Sequence, residues 1–314
     1  MEEVSQVRVL SPAKINLFLE ILGKRPDGYH EIRTLMQLVD LYDEIYMRRQ
    51  EKGVELDVFG RSEEVPQGEE NLVCRAARAL LAEMGSPGGV AISLYKRVPV
   101  GAGLGGGSSN AAATLWGMNL LFGSSVAKSR LQELALALGS DVPFFLSSGC
   151  AVGGGRGEVL REVRIPSRPV VIVFPGFGIS SGWAYGMGKW KLTKRGEWDS
   201  LKHFSGPSWE DLAFPSINEL EEVVAEAYPF ILDLKDALLQ VGARVALMTG
   251  SGSSVYGIFD DRASATQAAR YWRAHHYWVH EGKTLDFNPI LTEQGRPPRP
   301  PYPEGEFPPG MEKG

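Results

Sequence analysis

The chain has 314 residues, of which 43% are hydrophobic and 23% charged, and a formal net charge of -5. That length suits two packed domains or one large one, and the composition excludes wholesale disorder. A mildly acidic balance argues against non-specific binding to nucleic acid or an anionic membrane, so neither partner is expected.

In chain order, residues 7–10 and 15–22 read as strands parted by a polar break, and R-P-D-G at 25–28 is a turn signal. Residues 35–47 read as strand, turn, strand. Residues 71–84 carry apolar side chains at helical spacing and stop at Gly85, and residues 90–98 return to a strand. Helices are predicted over 110–121 and 126–138, and a glycine cluster spans 149–157. The fully apolar run 170–174 predicts a buried strand. A helix and then a mobile loop are predicted over 181–208, and helices over 217–227 and 228–240. Strand, glycine turn and strand follow over 243–259, then a helix over 263–275 and a last short strand over 277–280. From residue 286 the proline-rich PPRPPYPEGEFPPG predicts a disordered tail. The mixed order favours an α+β fold with helices on mainly antiparallel sheets.

Cys74 and Cys150 lie outside any C-x-x-C pattern and are expected to be reduced. No apolar run is long enough to span a bilayer and no signal-peptide pattern is visible, which points to the cytoplasm. His203, His275, His276 and His280 show no H-E-x-x-H spacing, and surface or core positions explain them better than metal binding.

The chemistry-bearing stretch is Pro99, Val100, Gly101, Ala102, Gly103, Leu104, Gly105, Gly106, Gly107, Ser108 and Ser109. Glycine lets backbone N–H groups turn inward, and a helix follows at once, so its unpaired first amides and positive dipole end suit an anion. No G-K-[ST] follows, so this is not a Walker A loop, and no parallel βαβ pattern surrounds it. A phosphate cradle and a flexible linker both fit the glycines, although the flanking strand and helix favour the cradle. Ser108 and Ser109 suit helix capping or phosphate contact.

The run VPVGAGLGGGSSNAAATL resembles the second motif of the GHMP kinases, the family of galactokinase and of homoserine, mevalonate and phosphomevalonate kinases. MTGSGSSVYGIF is similar to their third motif. SPAKINLFLEILGKRPDGYHEIRTLMQLVDLYDEI and GSDVPFF resemble a narrower branch, which phosphorylates a cytidine diphosphate-linked alcohol of the non-mevalonate isoprenoid pathway. The similarity runs over about residues 11–282. It implies a two-domain fold, with a ribosomal-protein-S5-like domain over 1–165 and a ferredoxin-like domain over 166–285, leaving 286–314 as the tail. It also implies ATP and Mg²⁺, a small-molecule cytidine diphosphate substrate, and a monomer or weak homodimer. Two departures stand out: Asn110 where the family usually carries Asp, and Asn218-Glu219-Leu220-Glu221 where N-D-[LF]-E is usual.

The resemblance makes Asp141 the general base and Lys14 its partner, which would lower the pKa of the attacking hydroxyl and hold Asp141 ionised. From the residues alone, Asp141 before Val142-Pro143 also suits a helix N-cap. Lys14 and Asn16 share one face of a strand by alternation, and a surface lysine is the plain alternative. Tyr29 and Tyr185 are candidates to stack on cytosine, with His30 and Asn16 at its edge or at the ribose and diphosphate, and Asn71 near adenine. Ordinary strand and core positions remain open for Tyr29, His30 and Tyr185. A homoserine or mevalonate type kinase, or a non-catalytic nucleotide-binding relative, are the competing functions.

Overall fold

The computed structural model describes residues 5–60, 65, 66, 68–86, 88–188, 190 and 216–291. Two antiparallel-rich sheets stand face to face, with helices on their outer sides.

The first sheet begins with β1 (Gln6–Lys24) and β2 (His30–Gln50), paired along nearly their whole length. The predicted polar break at Ser11 and Pro12 is a bulge instead. Pro12 pairs with Tyr42 and Ala13 with Val39, so Asp40 and Leu41 are extra residues on β2. Proline cannot donate to a ladder, and a bulge lets the strand continue past it. β3 (Val54–Gly60) has no counterpart among the predicted elements, although Val54, Leu56 and Val58 alternate with Glu55 and Asp57. It pairs in parallel with β4 (Gly89–Lys96), and β4 in turn lies antiparallel to β2. The glycine cluster becomes β5 (Cys150–Gly154), which hairpins into β6 (Val159–Glu162). The sheet order is β3-β4-β2-β5-β6, with β1 on β2.

Helices α1 (Leu72–Glu83), α2 (Gly106–Leu121) and α3 (Lys128–Leu138) cover this sheet through one apolar cluster that includes Leu80, Leu94, Leu115 and Phe144. Helix α2 starts four residues before the predicted Asn110, inside the glycine run. A short 3-10 helix, Val142–Leu146, follows α3.

The second sheet comprises β7 (Pro169–Phe174), β8 (Val245–Met248), β9 (Val255–Ile258) and β10 (Trp278–Lys283), in the order β10-β7-β9-β8. Helices α4 (Ser181–Met187), α5 (Glu219–Ala227), α6 (Phe230–Gln240) and α7 (Arg262–Ala274) accompany it. The strand order is that of a ferredoxin-like βαββαβ unit. Ile15, Leu17 and Phe18 of the first sheet meet Ile172, Tyr256 and Ile258 of the second in one buried cluster, so the two bodies share a core. Residues 191–208 of the predicted loop lie outside the described residues.

The predicted tail begins too early. Pro289–Leu291 form a 3-10 turn with Pro289 and Ile290 buried. The amide of Asn288 donates to the carbonyls of Phe145 (2.8 Å) and Ser147 (2.7 Å). Proline richness bars sheet pairing but not burial, and a side-chain amide serves where backbone donors are missing. Residues 292–314, the rest of the predicted tail, lie outside the described residues. Both cysteines are free and buried. No helix among the described residues is long and apolar enough to cross a membrane.

Candidate active site

Where the two bodies meet, a cleft of about 770 Å³ opens between the glycine loop, β1 and the segment leading into α4. The glycines shape one end of it. Gly105 caps α2 with φ +70, and the amide of Ser109 bonds back to its carbonyl at 2.9 Å. The amides of Gly106, Gly107 and Ser108 therefore precede the first intrahelical partner and are free for an anion. Gly103, with φ +77, has no room for a side chain, because a Cβ there would lie 2.0 Å from the carbonyl oxygen of Thr249. Ala102 and Leu104 point into the core, 2% and 1% exposed, so the run is a packed loop rather than a linker.

Pro99 to Ser108 line the cleft, but Ser109 does not. Ser109 is fully buried and accepts from the hydroxyl of Ser11 at 2.7 Å. Asn71 lines the cleft wall as the cap of α1: its Oδ1 accepts from Val73 N, and its Nδ2 donates to the carbonyl of Pro66, both at 2.9 Å.

Lys14 follows Pro12 and Ala13, opposite the bulge in β2, and its backbone N–H donates to Leu104 O at 2.9 Å, which ties the strand to the glycine loop. Its Nζ donates to Asn16 Oδ1 at 2.6 Å, as the shared strand face predicts. Asn16 is itself held, with Nδ2 donating to Thr34 Oγ1 (2.8 Å) and its backbone N–H to Thr249 Oγ1 (3.1 Å). The Asp141 carboxylate stands 3.8 Å from Lys14 Nζ, with Lys14 buried and the Asp141 side chain 40% exposed. Asp141 sits at the N-cap position of the 3-10 helix but makes no side-chain capping bond, so the capping alternative does not hold its carboxylate. Burial pushes the Lys14 pKa down, opposed by the negative charge of Asp141.

At the other end Tyr29, His30 and Tyr185 all line the cleft. His30 stacks on Tyr185, with ring centroids 5.3 Å apart and planes at 20°. Tyr29 is half exposed and carries the Arg156 guanidinium 4.4 Å above its ring. Burial, with the charge of Lys24, lowers the pKa of His30 and favours its neutral form. Burial, with the charge of Asp141, raises that of Tyr185 and keeps its hydroxyl protonated. Sequence reasoning missed Arg156 and Lys24, both of which line this end. A lone cation inside the 149–157 glycine cluster is the signal that marks Arg156.

Lys96 was missed as well. It continues the buried phase Val90, Ile92, Leu94 of β4, where a lysine is out of place unless paired. It bonds to Asp43 and, at 3.0 Å, to Asn110 Oδ1. Asn110 Nδ2 donates to Ser11 Oγ (2.8 Å) and Asp43 Oδ2 (2.9 Å). An amide here both donates to Asp43 and accepts from Lys96, whereas an aspartate would set two carboxylates against each other.

Among the described residues no group of three or more His, Cys, Asp or Glu is placed to hold a metal ion. The residues do fit a nucleotide: free amides at a helix N-terminus, and a loop whose glycines admit close approach.

The family model for the GHMP kinase N-terminal domain matches residues 71–149, and that for the C-terminal domain residues 191–277. A 4-diphosphocytidyl-2-C-methyl-D-erythritol kinase of Geobacter sp. (strain M21) is 43% identical over 268 residues, 85% of this chain and 94% of the relative. A crystal structure of 4-(cytidine 5'-diphospho)-2C-methyl-D-erythritol kinase superimposes with a TM-score of 0.73 at 35% identity, covering 88% of this chain and 99% of that one. Homoserine kinase from Cytophaga hutchinsonii shares the fold, with a TM-score of 0.70 at 19% identity over 92% of this chain and 97% of its own. The chain belongs to the GHMP kinases, among the 4-diphosphocytidyl-2-C-methyl-D-erythritol kinases.

Proposed function

We propose that this enzyme transfers the γ-phosphoryl group of ATP to the C2 hydroxyl of 4-diphosphocytidyl-2-C-methyl-D-erythritol, with Asp141 as general base and Lys14 as its partner. The observation that carries this is the open ion pair of Lys14 and Asp141. It lies in the same cleft as a helix-end amide cradle and a cationic, aromatic end. At 3.8 Å the two groups are attracted but not hydrogen-bonded to each other, which leaves their free lone pairs and N–H groups for an alcohol.

Bound ATP with Mg²⁺ supplies the phosphoryl group and neutralises part of its charge, the metal being held largely by phosphates and water. The amides of Gly106, Gly107 and Ser108 hold the phosphates, and Asn71 borders the nucleoside. Asp141 accepts the proton of the acceptor hydroxyl at a carboxylate oxygen. The Lys14 ammonium stabilises the developing oxyanion. Asn16 fixes that ammonium through its Oδ1. Tyr29, His30 and Tyr185 offer faces and edges to cytosine, and Arg156 and Lys24 offer positive charge to the acceptor's diphosphate. A site for homoserine needs none of these five groups.

The test is ADP release from purified protein with ATP, Mg²⁺ and the cytidyl substrate, repeated with CMP or CDP as competitor. Turnover inhibited by CDP is the expected result. Turnover on homoserine or mevalonate with no effect of CDP would reject the reading, and so would nucleotide binding with no turnover on any acceptor.

A further inference from the structure

The N-E-L-E segment at 218–221 has no place in the chemistry above, yet it reaches the site. Asn218 is 4% exposed and uses its whole side chain. Its Oδ1 accepts from Leu220 N at 3.1 Å, capping α5. Its Nδ2 donates to the carbonyls of Met248 and Gly250, both at 2.8 Å. The next residues anchor the same place. Glu219 accepts from Ile21 N at 2.5 Å, and Glu221 accepts from Met248 N at 2.8 Å while pairing with Lys235. The start of α5 is thus tied both to β1 beyond Lys14 and to the loop that leaves β8.

That loop touches the reacting groups. Thr249 Oγ1 accepts from Asn16 N at 3.1 Å and donates to Gly103 O at 3.3 Å. Gly250 stands beside the lysine, since a Cβ on it would lie 3.2 Å from Lys14 Nζ. An ammonium has three N–H groups, and Asn16 takes one. A Gly250 carbonyl released from Asn218 could turn to that ammonium and occupy a donor that the acceptor oxygen needs.

We propose that Asn218 is a positioning residue for phosphoryl transfer: its amide holds the Met248 and Gly250 carbonyls and so keeps Lys14 open to the acceptor. This rests on the role of Lys14 given above. The plain alternative is that Asn218 only caps α5.

Two variants of the full chain separate the roles. Asn218→Asp keeps the cap, because its carboxylate accepts from Leu220 N at a helix N-terminus, but it has no N–H for the carbonyls. Asn218→Ser also caps, adds no charge beside Glu219 and Glu221, and covers the case in which the Asp variant fails to fold. Both are expected to lose kcat by roughly tenfold or more, since small misplacements of a reacting group cost that much. The Kd for ADP, set by the amides of α2, should stay within about threefold. In Asn218→Asp the rate relative to wild type should rise toward acid, as a protonated carboxyl regains one donor. A folded variant with kcat within about twofold of wild type leaves only the cap and overturns the proposal. Lys14→Met is the control. If it is inactive while both Asn218 variants work normally, the positioning role alone fails. If it retains full turnover, the reading of Lys14 fails and takes the proposal with it.

Discussion

Two buried lysines, each beside an aspartate, stand at opposite sides of the glycine loop and differ in one respect. Around Lys96 the carboxylate is fully engaged, and the ammonium donates to two partners. Asp43 is fully buried, its Oδ1 accepts from the backbone N–H groups of Arg97 (2.7 Å) and Val98 (2.9 Å), and its Oδ2 takes Lys96 and Asn110. Around Lys14 the valences are left open: Asp141 is 3.8 Å away, its side chain is 40% exposed, and it caps nothing. A saturated pair holds backbone in place, while an unsaturated one can accept a substrate. Burial alone distinguishes neither, since both lysines are 4% exposed.

Four experiments press on this contrast, beginning with the largest effect. Asp141→Asn should lower kcat by about 10²–10⁴-fold, the usual worth of a positioned base, with the unfolding midpoint nearly unchanged. Steady-state kinetics beside a urea melt check both halves. Asp43→Ala should do the reverse and destabilise the fold by about 3–5 kcal/mol, because it strands Lys96 in the interior. Urea denaturation measures this, and a loss below 1 kcal/mol would mean that the network is not structural. Next, Tyr29→Ala should raise the KM of the cytidyl substrate by an amount equivalent to about 1–3 kcal/mol, the range for one stacked base, and leave the KM for ATP alone. An unchanged acceptor KM would remove Tyr29 from the binding site.

The smallest effect is a titration. Burial lowers the Lys14 pKa and Asp141 opposes that shift, so the ammonium is lost at a lower pH than in an exposed lysine. In Asp141→Asn the opposing charge is gone and the midpoint should fall further. An NMR titration of the Lys14 side chain reads this directly, and an upward move would contradict the sign.

Much of the site was legible where the signal is local. Alternation put Lys14 and Asn16 on one face, and their hydrogen bond follows from it. The glycine run before a helix marked where backbone amides stand without intrahelical partners. What failed did so for identifiable reasons. The tail was cut at 286 because proline content says nothing about the pocket that Ile290 fills or the two carbonyls that Asn288 serves. Ser109 was grouped with the phosphate loop, but one helical step turns it to the buried hydroxyl of Ser11. The stacking of His30 on Tyr185 had no signal in the sequence, because the two residues lie on elements far apart in the chain.

The amino-acid order by itself determined much of the local chemistry: that a helix follows the glycine run, which face of β1 is polar, and which loops lack side chains. Those properties depend on neighbours a few residues apart, and periodicity records them. Whether Asp141 caps a helix or faces Lys14, and which of the two aspartates beside buried lysines keeps free lone pairs, was decided only when β1, the 3-10 helix and the loop after β8 packed together. Distances between groups far apart in the chain are set by how whole elements fit, and no local pattern encodes them.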